Sequence, residues 1–207
     1  MPKILDNVRE RLLSELEAML REEGENVSLR RLAERAGVAV GTIYNYFPDK
    51  EELVKELFER DWRRTIARAR EAVAAAGAAS ALDTGGEAAR SHPRLYAMIG
   101  AVYDAAGVMV RSKQSGRKLF TSMHRGSRQE RITPYPFRAE GWSWAANEMT
   151  PLWVAVFGST PRDAERLAVL LICTVHRLLS IYPDARERNV EFLSALIMNG
   201  VQRNESE

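Results

Sequence analysis

The sequence is poor in the residues that build disulfides, metal centres and membrane spans. Cys173 is the one cysteine in 207 residues, which rules out a disulfide within the chain and fits a reducing cytoplasm. His92, His124 and His176 lie far apart and lack the spacings typical of metal ligands. No apolar run approaches the length of a membrane span. We therefore expect no metal, no cofactor and no membrane contact.

Signatures of catalysis and of targeting are also scarce. The sequence holds no nucleophile elbow and no phosphate-cradling glycine loop, so a catalytic site would need scattered groups such as His124, Arg125 and Glu140. We therefore expect that the chain is not an enzyme. Its start, Met1-Pro2-Lys3, leads into a charged amphipathic helix rather than a signal peptide, and we expect a cytoplasmic protein.

Apolar residues recur every three or four positions along most of the chain, which is the period of an α-helix. The sequence therefore predicts an all-α fold, in which Pro151 kinks or divides one helix and the Gly-rich residues 77–91 form a linker. The predicted helices cover residues 3–23, 28–36, 40–46, 49–76, 93–110, 116–123, 139–157, 160–182 and 184–201.

The stretch from residue 28 to residue 50 carries the clearest local signals. Ser28 is placed to cap a short helix, and Gly37 can end that helix in a left-handed conformation without a Cβ penalty. A second short helix over residues 40–46 is closed by Pro48, which lacks an N–H. Asp49 then caps the long helix that follows. The pattern predicts two short helices joined by a tight turn.

The outward face of the second short helix is small, polar and free of carboxylates. We expect Ile43 and Phe47 to point inward because they lie four residues apart. The side chains left outside are Gly41, Thr42, Tyr44, Asn45 and Tyr46. Such a helix fits the major groove of DNA, and Arg30, Arg31 and Lys50 beside it could meet phosphates. An ordinary helical hairpin with two surface tyrosines is the alternative on pattern alone.

The charge of the N-terminal region does not by itself favour DNA binding. Residues 1–60 contain more Asp and Glu than Lys and Arg, whereas DNA-binding domains usually carry a basic footprint. Phosphate contact depends on which groups face the DNA backbone, so a few well-placed cations suffice. We expect modest non-specific affinity.

Residues 33–53, AERAGVAVGTIYNYFPDKEEL, resemble the DNA-binding region of TetR-family transcriptional regulators in a nearly contiguous way. The resemblance implies a helix-turn-helix domain over residues 1–48, a connecting helix over 49–76 and a ligand-binding and dimerisation domain over 77–207. It further implies a repressor, associated with the nucleoid, that a ligand releases from double-stranded DNA. A helical DNA- or protein-binding module without an effector is the alternative.

We expect Thr42 and Asn45 to reach base edges and Gly41 to permit close approach to DNA. Phosphate contacts set register without encoding sequence. The full set expected to meet DNA is Ser28, Arg30, Val40, Gly41, Thr42, Tyr44, Asn45, Tyr46 and Lys50. The last two amphipathic helices could pair with the same two helices of a second copy, which would form a homodimer on a palindromic operator.

The C-terminal part is dense in aromatic and methionine side chains, which more often form plain core than pocket lining. Concave apolar pockets are nevertheless lined by such residues, so we expect a largely apolar small-molecule effector. The expected lining is Tyr96, Met98, Tyr103, Phe120, Met123, Trp142, Trp144, Met149 and Trp153.

Residues 111–138 are strongly basic, with Glu130 as their one acid. A solvated loop is the plain interpretation of this segment. A basic mouth over an acidic ligand, or an additional contact with DNA or a partner, are the alternatives.

Overall fold

The computed structural model describes residues 7–22, 28–78, 86–122 and 139–205, which form ten α-helices. Within these ranges we find no strand, so the predicted all-α fold is confirmed. None of these helices combines the length and the apolar character that crossing a membrane requires. The helices are α1 (Val8–Glu22), α2 (Leu29–Arg35), α3 (Val40–Tyr46), α4 (Lys50–Ala78), α5 (Glu87–Ser91), α6 (Pro93–Ser122), α7 (Ala139–Glu148), α8 (Thr150–Phe157), α9 (Ala164–Ile181) and α10 (Arg186–Glu205).

The chain forms two compact units, and the boundaries between them fall after Arg60 in α4 and after Val110 in α6. The N-terminal unit holds α1, α2, α3, the first turns of α4 and the part of α6 that follows Val110. The C-terminal unit holds the remainder of α4, α5, α6 as far as Val110, and the four helices from α7 onwards. The first boundary falls inside the helix that the sequence predicts as a connector.

One apolar cluster holds the N-terminal unit together. Leu12 and Met19 of α1, Leu32 of α2 and Ile43 of α3 are almost fully buried in it, as is Phe47 directly after α3. The inward orientation predicted for Ile43 and Phe47 is confirmed. Burial of these side chains fixes α3 on α1 and α4, so its opposite face is presented on a packed support.

The helix ends around α2 and α3 follow the predicted local chemistry. The Ser28 hydroxyl accepts a hydrogen bond from the backbone N–H of Arg31 at 3.2 Å, and Gly37 ends the first helix with φ +63°. The Asp49 carboxylate accepts from the N–H of Glu52 at 2.8 Å and so caps α4. These contacts hold the turn between α2 and α3 and the entry to α4 in place.

The core of the C-terminal unit draws on all its longer helices. Its members are large apolar side chains whose spacing of three or four residues puts them on the inner face of each helix. Those that are almost fully buried include Ile66, Val73, Met98, Ile99, Val102, Leu152, Trp153, Leu171, Val175, Val190, Leu193 and Ile197.

Two predictions about helix continuity meet different outcomes. Helices α7 and α8 are separate, with Pro151 in the first turn of α8, so the predicted division is confirmed. The prediction that one helix stops near Val110 and another covers 116–123 is wrong, because α6 runs without a break from Pro93 to Ser122. No proline follows Pro93 in this helix, and the lone Gly116 in that stretch costs only about 1 kcal/mol relative to Ala.

The start of α9 is also later than predicted. Thr160 is not its N-cap, since a turn in which the Ala164 N–H donates to the Pro161 carbonyl precedes the helix and Asp163 occupies the cap position. Helix α10 likewise starts at Arg186 rather than at residue 184. The predicted linker over residues 77–91 contains α5, whose cap position is Gly86.

Candidate nucleic-acid interface

Helix α3 presents the apolar and aromatic surface of the N-terminal unit. Among the described residues of this unit, the large hydrophobic side chains classed as exposed are Val40, Tyr44 and Tyr46, all on α3. Tyr44 is 50% exposed, and Asn45 beside it is also exposed. The helix has no acidic residue in its first turn or elsewhere. The structure therefore brings together the outward face that the sequence predicts.

Gly41 lies on this face with open space around it. A Cβ atom built on Gly41 would meet no heavy atom within 4 Å, so the packing of the chain itself does not require a glycine there. Thr42, next along α3, is half-buried, and its N–H donates to the Ala39 carbonyl at 2.9 Å. The surface around Gly41 can thus be approached closely by another molecule.

The cations predicted to flank α3 differ in how they are held. Arg30 forms an ion pair of 3.2 Å with Glu34, but the side chains are 85% and 62% exposed, so this pair is worth little and can exchange for another anion. Lys50 is exposed, and it has no ion pair with any of the residues described. Both cations are therefore available to phosphates.

Arg9 has a role that the sequence did not reveal. Its guanidinium forms a two-pronged pair with the Glu56 carboxylate, at 2.6 Å from Nε and 2.5 Å from Nη2. The same group lies 5.0 Å above the centre of the Phe47 ring. Hydrogen bonding to Glu56 raises the pKa of Arg9. Arg9 thus ties α1 to α4 beside Phe47, which follows the end of α3.

Two further arginines neutralise carboxylates of α1. Arg60 is 12% exposed and pairs with Glu10 at 2.9 Å and Glu17 at 2.6 Å. Arg35 pairs with Glu22 at 2.6 Å and with Glu15 at 3.0 Å, and these contacts raise its pKa, Glu22 contributing most. The acids that outnumber bases in this region are thus largely engaged inside the unit. Through these two pairs Arg35 holds α2 to α1.

The residues predicted to line an effector pocket differ in how deeply they are buried. Met98, Tyr103, Met149 and Trp153 are almost fully buried, Tyr96 and Trp144 are half-buried, and Arg63 stacks over the Trp144 ring at 5.3 Å. Partial burial raises the pKa of Tyr96. Phe120, Met123 and Trp142 lie outside the described side chains, as do those of the basic residues 111–138. The lining stays a prediction.

A buried polar contact joins α6 to α10 in the C-terminal unit. Asn189 donates from Nδ2 to the Tyr103 hydroxyl at 2.7 Å and to the Tyr182 carbonyl at 3.1 Å. Asn189 and Tyr103 are both buried. The hydroxyl of Tyr103, a residue predicted to line the effector pocket, therefore already has a hydrogen-bond partner within the protein.

A cavity of about 380 Å³ lies elsewhere in the same unit. It is lined by the last turn of α4, the end of α5, the start of α6, the end of α8 and Met198 of α10. None of the residues predicted to line an effector site contributes to it. Sequence reasoning missed this cavity because it is formed by the ends of helices, where apolar periodicity carries no signal.

The last two helices expose apolar side chains. Leu170 and Ile181 of α9 and Phe192 and Leu196 of α10 are exposed, together with Tyr182 directly after α9. Single exposed hydrophobic residues are ordinary, whereas a contiguous apolar patch is typical of a surface for protein contact. Within the described part of the chain, no three side chains are grouped as a metal site would require.

Comparison with known proteins points to one family. Residues 12–57 match the sequence model described as "Bacterial regulatory proteins, tetR family". The HTH-type transcriptional repressor KstR of Mycolicibacterium smegmatis is 41% identical over 70 residues, which are 33% of this chain and 34% of that protein. KstR of Rhodococcus jostii is 43% identical over 61 residues, 29% of each. The chain thus matches about a third of the length of these curated relatives.

A solved structure extends the likeness to the whole fold. A TetR-family transcriptional regulator from Streptomyces coelicolor superposes with a TM-score of 0.58 over 95% of this chain and 98% of its own, at 21% identity. At that identity the match shows a shared fold alone. The curated relatives are described as transcriptional repressors, in agreement with the prediction that the chain is not an enzyme.

Proposed function

We propose that this chain, a TetR-family transcriptional regulator, is a repressor that binds a palindromic operator as a homodimer and is released by a small-molecule effector. The observation that carries the DNA-binding part is the exposed, carboxylate-free face of α3 on a fully packed support. A short helix of this kind fits the major groove. Such a repressor works at the nucleoid, in the cytoplasm.

The side chains of α3 and its surroundings divide between bases and phosphates. Asn45 is exposed at the centre of the face and can make paired hydrogen bonds to adenine, while Thr42 can bond several bases. Phosphate contacts would come from the exposed hydroxyl and cationic groups of Tyr44, Tyr46, Ser28, Arg30 and Lys50. Val40 adds apolar contact, and Gly41 lets the two backbones come close.

Dimerisation through α9 and α10 is supported by their exposed apolar side chains. A two-fold axis would place the same residues of each copy against one another, which buries both sets at once. A dimer reads two half-sites one helical turn of DNA, roughly 34–36 Å, or a multiple apart. An interface of this kind would therefore supply both stability and operator symmetry.

Release by an effector follows from a difference in affinity between two conformers. A ligand that prefers the conformer with the wrong spacing of α3 helices lowers DNA affinity by that difference and no more. The apolar composition of the C-terminal unit supports an effector with a substantial apolar part. A module that coats DNA without an effector is the rival function.

Two substitutions test the DNA contact, with the whole chain and a selected operator. Lys50→Ala should weaken binding to every DNA sequence. It should also reduce the slope of log K against log salt concentration by about 1, the change expected when one phosphate contact is lost. Asn45→Ala should instead cost about 1–3 kcal/mol on the operator and little on random DNA. Fluorescence anisotropy titrations at several salt concentrations measure both effects.

The matched control for Lys50 is Lys55→Ala, which removes the same charge from the same helix. Lys55 already pairs with Glu52 at 3.1 Å, and hydrogen bonding to Glu52 raises its pKa, so its loss should leave the salt slope unchanged. An unchanged slope for Lys50→Ala, or equal losses on both DNAs for Asn45→Ala, would contradict the assignments. A footprint spread evenly along DNA would favour the rival function.

A further inference from the structure

We infer that the cavity at the end of α4 is a binding site for a small amphipathic carboxylate. This site lies apart from the predicted effector lining, and every residue that forms it belongs to the C-terminal unit. As a place for an effector it rests on the repressor function proposed above. As a binding site it stands on its own geometry.

None of the residues that line the cavity has a carboxylate side chain. Its polar side chains are those of Arg94, His92 and Ser91, which carry a guanidinium, an imidazole and a hydroxyl, each able to donate a hydrogen bond. Arg94 has no acidic partner among the described residues, and the hydrogen bond that it donates to the Ala155 carbonyl is long, at 3.5 Å. Other arginines of the same unit are matched, such as Arg186 with Asp104 at 2.6 Å. Arg94 is thus the cation that an anionic ligand can reach.

The other side of the cavity is apolar and firmly supported. Leu95, Phe157 and Met198 line it, and the Phe157 ring stacks on Trp153 with centroids 6.0 Å apart and planes 20° from parallel. Trp153 is fully buried, so the aromatic wall rests on the core. A wholly polar anion such as phosphate would leave this wall against water. The charge on one side and the apolar wall on the other therefore select a ligand with both characters.

The volume of the cavity suits a small ligand. About 380 Å³ is near the lower end of the range for small-molecule sites, which suits one ring or a short chain with a carboxylate head. Ala76 and Gly77, which also line the cavity, belong to the last turn of α4. A bound ligand would touch the far end of the helix that starts at Lys50, beside α3.

The test is direct binding of 4-phenylbutyrate, octanoate and benzoate to the full-length protein in the absence of DNA. Ligand-observed NMR titrations measure the affinity of each acid. The uncharged amide of each acid serves as its partner probe. Arg94→Met keeps the length of the side chain and removes its charge. We expect it to weaken binding of the best carboxylate about tenfold, the contribution of one charge-assisted hydrogen bond. Binding of the amide should change less than twofold.

Two further variants make the result specific. Arg90→Met removes an equal charge four residues earlier, on α5 and outside the cavity wall, and should leave carboxylate binding unchanged. Gly77→Ala keeps all charges, but its Cβ would lie 2.8 Å from Nε of Arg94, so the flexible guanidinium must move aside. It should weaken carboxylate binding in the same direction as Arg94→Met.

The proposal is overturned if none of the three acids binds, if acid and amide bind alike, or if Arg90→Met and Arg94→Met have equal effects. DNA binding is measured separately on the same proteins. A carboxylate that binds without changing operator affinity would support the site and count against its role as the effector site. If the wild-type protein without ligand did not bind the operator, that result would instead contradict the proposed function.

Discussion

The two units of this molecule expose large apolar side chains in different ways. In the N-terminal unit, those of the described residues all lie on α3, and two of the three are tyrosines beside Asn45. In the C-terminal unit they lie mainly on α9 and α10 and at Tyr182, which follows α9, and most are Leu, Ile or Phe. Tyrosine combines an apolar ring with a hydrogen-bonding tip, which suits a polar, wet partner, whereas aliphatic side chains suit a second apolar surface.

The polar contacts that join the helices also differ between the two units. The N-terminal unit ties its helices together with arginine–carboxylate pairs near the surface, such as Arg9 with Glu56 and Arg60 with Glu17. The C-terminal unit has an exposed pair of this kind, between Arg186 and Asp104, and also a neutral buried contact between Tyr103 and Asn189. The pairs of the N-terminal unit join α1 to α4 around the cluster that supports α3.

Phe47→Ala should have the largest effect, because it empties the centre of the smaller core. Phe47 is fully buried, and truncating a buried phenylalanine typically costs about 3–5 kcal/mol. It also removes the ring beneath Arg9. Chemical denaturation followed by circular dichroism measures the loss, and DNA binding should disappear with it.

Tyr46→Ala is the matched control for Phe47, since it truncates the neighbouring aromatic ring, which is exposed. It should change the free energy of unfolding by less than about 0.5 kcal/mol and still weaken DNA binding. Equal losses of stability from the two variants would mean that α3 does not divide into a packed and a presented face.

Phe192→Asp tests the apolar surface of the other unit. Phe192 is 55% exposed on α10, and a carboxylate there would be buried in the proposed dimer. We expect the dimer dissociation constant to rise about 100-fold, or about 2.7 kcal/mol, with little effect on folding of the monomer. Sedimentation velocity over a range of concentrations measures this.

Val154→Asp places the same charge on a residue that is 44% exposed, but on α8. It should leave the dimer unchanged if α9 and α10 form the interface. If Val154→Asp dissociated the protein and Phe192→Asp did not, the interface would lie elsewhere. If the unchanged chain were itself a monomer at every concentration, the proposed dimer would be wrong.

Arg60→Met tests whether the ionic ties of the N-terminal unit stabilise it. Arg60 is 12% exposed, and its removal leaves Glu10 and Glu17 without their guanidinium, so we expect a loss of about 2 kcal/mol. Arg30→Met, which breaks an exposed pair, should cost less than about 0.5 kcal/mol. Denaturation curves for the two variants compare them, and equal losses would show that burial does not decide the strength of these pairs.

The sequence predicted the N-terminal unit well because its signals are local. Ser28, Gly37 and Asp49 act within three or four residues of where they stand, so their roles could be inferred without a fold. The role of Arg9 could not, since its partner Glu56 is 47 residues away and both stand on surface positions of amphipathic helices. Pairing across that distance depends on tertiary packing, which the helical period does not specify.

In the C-terminal unit, helices were predicted more reliably than their ends or their cavities. The period of apolar residues located α9 and α10, but the turn formed by Pro161 moved the start of α9 four residues beyond the expected cap. The cavity beside Arg94 is assembled from four helix ends. Which side chains meet at such a place depends on how the helices cross, and a single sequence does not show that.

The smallest predicted effect concerns the buried contact between Tyr103 and Asn189. Tyr103→Phe removes the oxygen that accepts from Nδ2 of Asn189 at 2.7 Å, while the bond to the Tyr182 carbonyl at 3.1 Å remains. One buried N–H then lacks its partner, which should cost about 1 kcal/mol in chemical denaturation. Tyr182→Phe is the control, because Asn189 bonds the backbone of Tyr182 and that side chain is exposed. If Tyr103→Phe cost nothing, Asn189 would have to turn to another acceptor, and the neutral contact would not help to hold α6 against α10.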